Sequence, residues 1–310
     1  MEIATVSKKA QVIRVATRKS KLALWQANFV ANLLKEKFPA LSAHFIEMVT
    51  DGDRHQSTAL NTMGGKSLFV KTLQEAVLKN KADIAVHSMK DMSVYETKGL
   101  SIGAVCKRAD ARDAFISPNY ESILSLPQRA VVGTSSPRRA CLLKAMRPDL
   151  VTTVLRGNVE TRLLKCGNGE YAAIILAAAG LHRLGLSSKI RAYLSPELFT
   201  PAIAQGAIAI ECRADDAAMR EILLPLNDAD TVHCVTAERS VNRILGGDCY
   251  TPIGAYATIK HDQLFLHATI GDREGKHVLK TSTVGHKDTA EALGKLAATT
   301  LIAQGAKKLL

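Results

Sequence analysis

The sequence predicts an α/β protein of two or three domains with mostly parallel sheets, ending in a smaller α+β module. Three observations carry this expectation. At 310 residues the chain exceeds one domain of roughly 100 to 200 residues. Its first two thirds alternate short β-branched or apolar runs with longer segments of helical period, the signature of βα units. Its last third changes to alternating strands followed by a helix. With 47% hydrophobic and 23% charged residues, 20 Gly and 9 Pro, the composition is globular and not disordered, collagen-like or disulfide-stapled.

Taken in order, VIRVAT at 12–17 reads as a strand. Ser20 can cap a helix whose apolar residues Leu22, Trp25, Phe29 and Leu33 recur at three and four, ending near Pro39. FIEMVT at 45–50 is a second strand, 67–80 a second helix and ADIAVHS at 82–88 a third strand, so the first unit is β-α-β-α-β. A similar unit follows, with strands expected at 112–117, 130–135, 151–155 and 172–180 and helices from Pro137 to Met146 and over 158–166. AIAIECR at 207–213 again has the apolar run of a buried strand, and it could return to the first unit across a whole domain. A helix at about 230–245 then leads through GGDCYTPIG to alternating strands in YATIKHDQLFLHATIG and VLKTSTVG, with a turn at Asp272 to Gly275 and a closing helix at 288–304.

Charge and cysteine usage narrow the function classes. The 41 Lys+Arg outnumber the 29 Asp+Glu, and the surplus is uneven: residues 1–110 hold 17 basic and 10 acidic side chains, 111–206 hold 12 and 6, and 207–310 hold 12 and 13. A cationic chain binds nucleic acid, a membrane surface or an anionic small molecule. No Lys/Arg block exceeds two residues and no RNP, zinc-finger or arginine-rich segment occurs, which argues against nucleic acid. No apolar run approaches the roughly 18 residues of a membrane span, and the first 25 residues have no signal-peptide pattern, so a cytoplasmic protein is expected. Six scattered cysteines form no C-x-x-C pair and nine histidines no H-E-x-x-H cluster; reduced thiols and no bound metal are expected.

In open parallel sheets, ligands bind beyond the carboxyl ends of the strands. After the first strand comes Thr17-Arg18-Lys19-Ser20, after the third His87-Ser88-Met89-Lys90-Asp91, after AVVG comes Thr134-Ser135-Ser136-Pro137-Arg138-Arg139, and after VTTVL comes Arg156-Gly157-Asn158 with Arg162 beyond. Every one of these ends delivers a cation. Ser136 before Pro137 marks a helix start, where free backbone N–H groups favour an anion, and Arg138 and Arg139 add forked donors for carboxylate or phosphate. A polyanionic ligand held between domains fits all four ends. Lys66 in GGKS invites a phosphate-loop reading, but Leu60 stands where that motif needs Gly. Asp91 is either an ion-pair partner of Lys90 or a neighbouring Arg, or an acid/base group facing the cleft. Cys249, in a Gly-rich turn, is either an inert core thiol, the usual role of a free cysteine, or an accessible nucleophile.

The strings DIAVHSMKD, VGTSSPRR, LRGNVETRL, AIILAAAGLHRLGL, PAIAQGAIAIECR and ER-x-V-x-x-x-L-x-G-x-C-x-T-P-I-G are similar, in this order and from about residue 12 to 305, to the porphobilinogen deaminase family. The resemblance implies three domains, two of them built like the lobes of periplasmic binding proteins with mostly parallel sheets and the third a small α+β domain. Domain 1 would comprise 10–106 with 207–226, domain 2 107–206, and domain 3 227–310. It implies a monomeric transferase that deaminates four porphobilinogen molecules and joins them head to tail into hydroxymethylbilane, on a dipyrromethane cofactor held by a thioether. That cysteine matches Cys249, which changes its reading from inert to functional, and Asp91 matches the catalytic carboxylate. Lys90, Ser136, Arg138, Arg139, Arg156, Arg162 and Arg183 match binders of cofactor carboxylates. Arg18 and Ser20 match substrate binders, Phe69 an aromatic near the reacting pyrrole, Lys66 a loop over the site and Gln205 a hinge motif.

This chain departs from the family pattern at four points. Asp248 precedes Cys249 where a glycine or small residue is usual, and a carboxylate beside a thiol disfavours the thiolate and slows alkylation. If that position needs φ > 0, Asp is one of the few non-glycine residues that tolerates it. Ser93 replaces a proline two residues after Asp91, and Thr72 and Gln74 stand where glutamates are usual.

Overall fold

The computed structural model describes residues 12–49, 67–247 and 250–310 of the chain. The first sheet comprises β1 (Val12–Arg18), β2 (Ser42–Met48), β3 (Ile84–Ser88) and β4 (Leu100–Val105), joined by the late strand β10 (Ile208–Arg213) in the order β2-β1-β3-β10-β4. The second comprises β5 (Asp113–Ile116), β6 (Val131–Gly133), β7 (Val151–Thr153), β8 (Ala173–Ala177) and β9 (Ala192–Leu194) in the order β7-β6-β8-β5-β9. The two share one spatial order, although the strand next to the edge enters last in the first sheet (β10) and first in the second (β5). In each, one strand runs against its neighbours: β10 is antiparallel to β3 and β4, and β5 to β8 and β9, while the other pairings are parallel. The sheets are therefore mixed, with the expected parallel direction kept by four strands of five.

These reversed strands explain the long return. The chain leaves β4 for β5 in the other sheet and comes back from β9 to β10, so two crossovers run side by side. They touch at Gly206, whose φ is 92° and where a Cβ would sit 2.6 Å from Ala109 O; Ala109 N donates to Gly206 O at 3.2 Å. Only glycine combines that backbone with so close an approach.

Helix α1 (Lys21–Lys37) divides its expected apolar stripe: Phe29 and Leu33 pack at the edge of the first core, while Leu22 and Trp25 turn elsewhere. Ala23, Ala27, Val30 and Leu34 are buried against the first sheet, whereas Trp25 is 36% exposed. The small alanines let the helix lie close to the strands. The bulkier Leu22 and Trp25 instead face the second unit: a Cβ on Gly180 would lie 3.6 Å from Leu22, and the Arg183 guanidinium sits 5.6 Å above the Trp25 ring. The remaining helices of the two units are α2 (Ser67–Leu78), α3 (Pro137–Met146), α4 (Val159–Gly167), α5 (Ala178–Arg183) and α6 (Ala217–Leu223). The run AAIILAAAG divides into β8 and α5 instead of forming one strand, because its second half packs as a buried alanine-rich turn of helix. Strands β4 and β9 and helix α6 were not expected from the sequence.

The C-terminal unit packs α7 (Ala229–Leu245) and α8 (Ala290–Ala303) on an antiparallel sheet of β11 (Ile253–Lys260), β12 (Gln263–Gly271) and β13 (Val278–His286). Leu264, Leu266, Ala268 and Ile270 alternate inward from β12, the period of two that a half-buried strand requires. His261 and Asp262, at φ 49° and 61°, make the tight turn between β11 and β12. The helices approach so closely that a Cβ on Gly294 would strike the carbonyl of Ala237.

Candidate active site

Several of the sequence-predicted residues lie where strands of the first two units end, and hydrogen bonds or charge link Lys90, Asp91, Arg139, Arg162 and Gln205. Asp91 and Lys90, both half-buried, form the single 3-10 turn Met89–Asp91 directly after β3. Lys90 Nζ donates to Gln205 Oε1 at 3.2 Å, and Arg139 Nη2 of the second unit approaches the same oxygen at 3.5 Å. Gln205, in the returning crossover, donates through Nε2 to Ala111 O at 2.8 Å and Asp113 Oδ1 at 2.9 Å. One side chain thus links both sheets and both crossovers.

Behind it lies a charge cluster that the sequence analysis missed. Asp113 opens β5 and is wholly buried; its Oδ2 accepts from Arg138 Nη1 at 2.7 Å and its Oδ1 from Arg139 Nη2 at 2.7 Å. Burial alone would raise this carboxyl, but the two guanidinium charges outweigh it and hold Asp113 well below the usual carboxylate range. Burial lowers Arg138 by more than its pairing with Asp113 raises it, and the charge of Arg139 adds to the fall; two guanidinium groups on one carboxylate leave the cluster with a formal excess of positive charge. Arg138 and Arg139 are thus first of all partners of Asp113. They are 4% and 7% exposed, and their access to a ligand is correspondingly narrow.

Local sequence explains how these arginines are aimed. Ser136 caps α3, its Oγ accepting from Arg139 N at 3.4 Å, and Pro137 takes the first helical position, where no N–H is needed. Ser20 caps α1 in the same manner, accepting from Ala23 N at 3.3 Å. A hydroxyl that accepts from a helix can still donate its own hydrogen to a ligand.

The remaining sequence-predicted cations are Arg18, Arg156, Arg162 and Arg183, of which Arg162 feels the charge of Asp91. Arg18 closes β1, and Arg156 lies just beyond β7; both are half-buried. Gly157 turns the chain at φ 109°, and its carbonyl accepts from Arg162 Nε at 2.8 Å. Burial lowers Arg162 to about 10, a fall deepened by the charge of Arg139 and opposed by that of Asp91. Burial likewise lowers Arg183 to about 10, and its Nη2 donates to Gly206 O at 2.7 Å. Among the described residues neither Arg162 nor Arg183 has a carboxylate within 4.0 Å. Cations taken out of water without enough counter-charge call for an anionic guest. Such surroundings fit a cofactor and substrate that carry several carboxylates each.

Lys66, Asp248 and Cys249 lie outside the described residues, as does the side chain of Phe69, whose backbone belongs to α2. The chain on either side of 248–249 is tight. Gly246 caps α7 at φ 73°, and a Cβ on Gly254 would lie 2.9 Å from Thr200 O and 3.2 Å from Arg138 Cδ. The strand after the turn therefore rests directly on the arginine cluster. Cys106 and Cys234 are pushed up to about 12 and Cys141 to about 11, in each case chiefly by burial, so these thiols are weak nucleophiles near neutral pH. Among the described residues no group of three or more His, Cys, Asp or Glu is placed to hold a metal ion. No helix among them is long and apolar enough to cross a membrane.

Two further buried groups support the site. Glu238 of α7, 0% exposed, accepts from Arg108 Nη1 at 2.5 Å, from Ala204 N at 2.7 Å and from Ala257 N at 2.8 Å, and so pins both crossovers to the C-terminal unit. His87 and Glu211 lie side by side on β3 and β10 with Nε2 and Oε2 3.2 Å apart, though not aligned for a hydrogen bond. Gln74 of α2, one of the departures from the family pattern, donates to Glu211 Oε1 at 2.9 Å. The sequence signal for Asp113, Glu211 and Glu238 was available: each is a lone carboxylate within an otherwise apolar strand or helix face, which folding buries only with partners.

The family model described as porphobilinogen deaminase, dipyromethane cofactor binding domain, matches residues 13–221, and that described as porphobilinogen deaminase, C-terminal domain, matches 232–303. Among solved structures, the chain is similar to a periplasmic substrate-binding protein of an ABC transporter from Coxiella burnetii at 14% identity, over 71% of this chain and 94% of that one, with a TM-score of 0.44. A methionine-bound nutrient-binding protein from Burkholderia cenocepacia matches at 15% identity, over 68% and 90% of the respective chains, with a TM-score of 0.44. Matched by both family models over most of its length, the chain belongs to the porphobilinogen deaminase family, transferases of tetrapyrrole biosynthesis that carry a dipyrromethane cofactor.

Proposed function

We propose that Asp91 is the acid and base of porphobilinogen condensation in this chain, that the surrounding arginines hold the carboxylates of cofactor and growing product, and that Cys249 carries the cofactor through a thioether. The observation that carries this reading is the placement of Asp91: a half-buried carboxyl at a strand end, with Lys90 beside it and the buried cation Arg162 within electrostatic reach.

Bound dipyrromethane supplies the pyrrole carbon onto which the first substrate ring is joined. The chain's own residues do the rest. Asp91 delivers a proton to the departing amine as the C–N bond breaks, and ammonia leaves. Its carboxylate then faces the positive charge left on the substrate ring, and accepts the proton released once the new C–C bond has formed. Each ring brings an acetate and a propionate, so each addition demands more counter-charge, which Arg18, Arg156, Arg162 and Arg183 supply with the net charge of the Arg138–Arg139–Asp113 cluster. Lys90, Ser20 and Ser136 add donors, Phe69 packs near the reacting ring, Lys66 belongs to a loop over the site, and Gln205 keeps the two crossovers in register.

We further infer domain boundaries near 106/107, 206/207 and 226/227, a monomer, and a cytoplasmic location. Five unpaired cysteines among the described residues fit a reducing compartment. Intact mass tests the cofactor assignment: purified protein should be heavier than its sequence by two linked pyrrole units, and Cys249→Ser should lack the increment. Active protein of unmodified mass overturns it.

A further inference from the structure

A cavity of about 750 Å³ lies between the first sheet and α7, and of the turn that carries Asp91 only Met89 lines it. Among the described residues none between 107 and 206 lines it, so the second unit has no part in it, and neither do Lys90 or Asp91. Its floor is apolar, formed by Met89, Ile102 and Val235. Arg239 and Arg243, one helical turn apart on α7, bring two cations to its lining, and Glu96 brings one carboxylate.

Arg239 is the informative residue. It is 7% exposed, yet its hydrogen bond to the protein is to a backbone carbonyl, Nη2 donating to Ser93 O at 2.8 Å. Among the described residues no carboxylate lies within 4.0 Å of it; Glu96 and Glu211 act on it only from farther away. Burial and the like charge of Arg243 disfavour the charged form, the sign expected of a cation lacking a close counter-ion. Arg243, one turn on, approaches Val94 O at 3.5 Å and Glu291 at 3.4 Å, both near the limit of useful hydrogen bonds.

A cavity of this size, with an apolar floor and a few convergent polar groups, has the make-up of a small-molecule site. We propose that it binds a small organic carboxylate with an apolar body, the carboxylate bridging Arg239 and Arg243 and the body resting on Met89, Ile102 and Val235. Such a guest competes with the carbonyls of Ser93 and Val94, two and three residues beyond Asp91, for the same guanidinium groups.

Calorimetric titration of the holoenzyme with naphthalene-2-carboxylate tests this, with the uncharged 2-naphthamide as control. Saturable binding of the carboxylate is expected, with the amide at least tenfold weaker. Arg239→Gln should weaken binding tenfold or more. Because that variant also loses the bond to Ser93, Val232→Phe provides a second route: it fills the cavity, keeps both arginines, and should weaken binding as strongly with an unchanged melting temperature. The proposal is overturned if the wild-type protein shows no saturable binding, if the amide binds as well as the carboxylate, or if Val232→Phe binds within twofold of wild type, which places the probe elsewhere.

Discussion

The two five-stranded units share one spatial order of strands but load their strand ends differently. The first sheet ends in Arg18, Lys90 and Asp91, leaving a half-buried carboxyl at the cleft. The second ends in arginines, and its own carboxylate, Asp113, is wholly buried between two of them. The same spatial order of strands therefore places two aspartates in opposite circumstances. Asp91 is half-buried at a strand end, whereas Asp113 is locked as an anion that allows two guanidinium groups to be buried side by side. On the function proposed above, the first unit would supply the proton chemistry and the second would hold negative charge.

The sharpest way to break this comparison is to neutralise each aspartate in turn. Asp91→Asn should lower ammonia release from porphobilinogen by about 10²- to 10⁴-fold, the range for a lost general acid–base, with the melting temperature nearly unchanged. Turnover close to wild type would remove Asp91 from the chemistry.

Asp113→Asn should act in the reverse sense, costing about 3–5 kcal/mol of stability because it strands two buried cations. The pH dependence has a definite sign. A carboxyl held below its unfolded value stabilises the fold fully above about pH 4 and loses that contribution as pH falls through the folded value. The stability gap between wild type and Asp113→Asn, measured by urea unfolding, should thus be constant near neutrality and narrow only in acid. A gap that widened on acidification would contradict the ion cluster.

The smallest effect is expected at Arg162→Leu. Among the described residues this cation has no carboxylate within 4.0 Å, so its loss should leave stability unchanged or slightly improved. Turnover should nevertheless fall roughly 10- to 100-fold, the worth of one charge-assisted hydrogen bond of about 1.5–3 kcal/mol, with stalled covalent intermediates visible by mass. Loss of stability without loss of turnover would make Arg162 a structural residue.

Much of this was legible in the chain. The late strand at 207–213, the cationic strand ends and the capped helix starts at Ser20 and Ser136 all lie where local pattern places them, because period, caps and β-branched runs act over a few residues. The α1 stripe was legible only in part, Phe29 and Leu33 packing at the first core while Leu22 and Trp25 face the second unit, because periodicity finds apolar residues but not which neighbour each one meets. Strands β4 and β9 were missed because a short strand is defined by its neighbours as much as by its own residues.

By itself, then, the amino-acid sequence determined the order of elements, the surplus of positive charge in residues 1–206 and its delivery to strand ends, and the motifs that mark the family. Only the tertiary structure decided which of those cations are spoken for. Arg138 and Arg139 looked like open ligands for an anion, and they prove to be pinned to Asp113, a residue 25 and 26 positions away in sequence. The reason is physical: a charge near a strand end is a local property, whereas its counter-ion depends on which distant segment the sheet brings alongside, and burial makes that pairing obligatory.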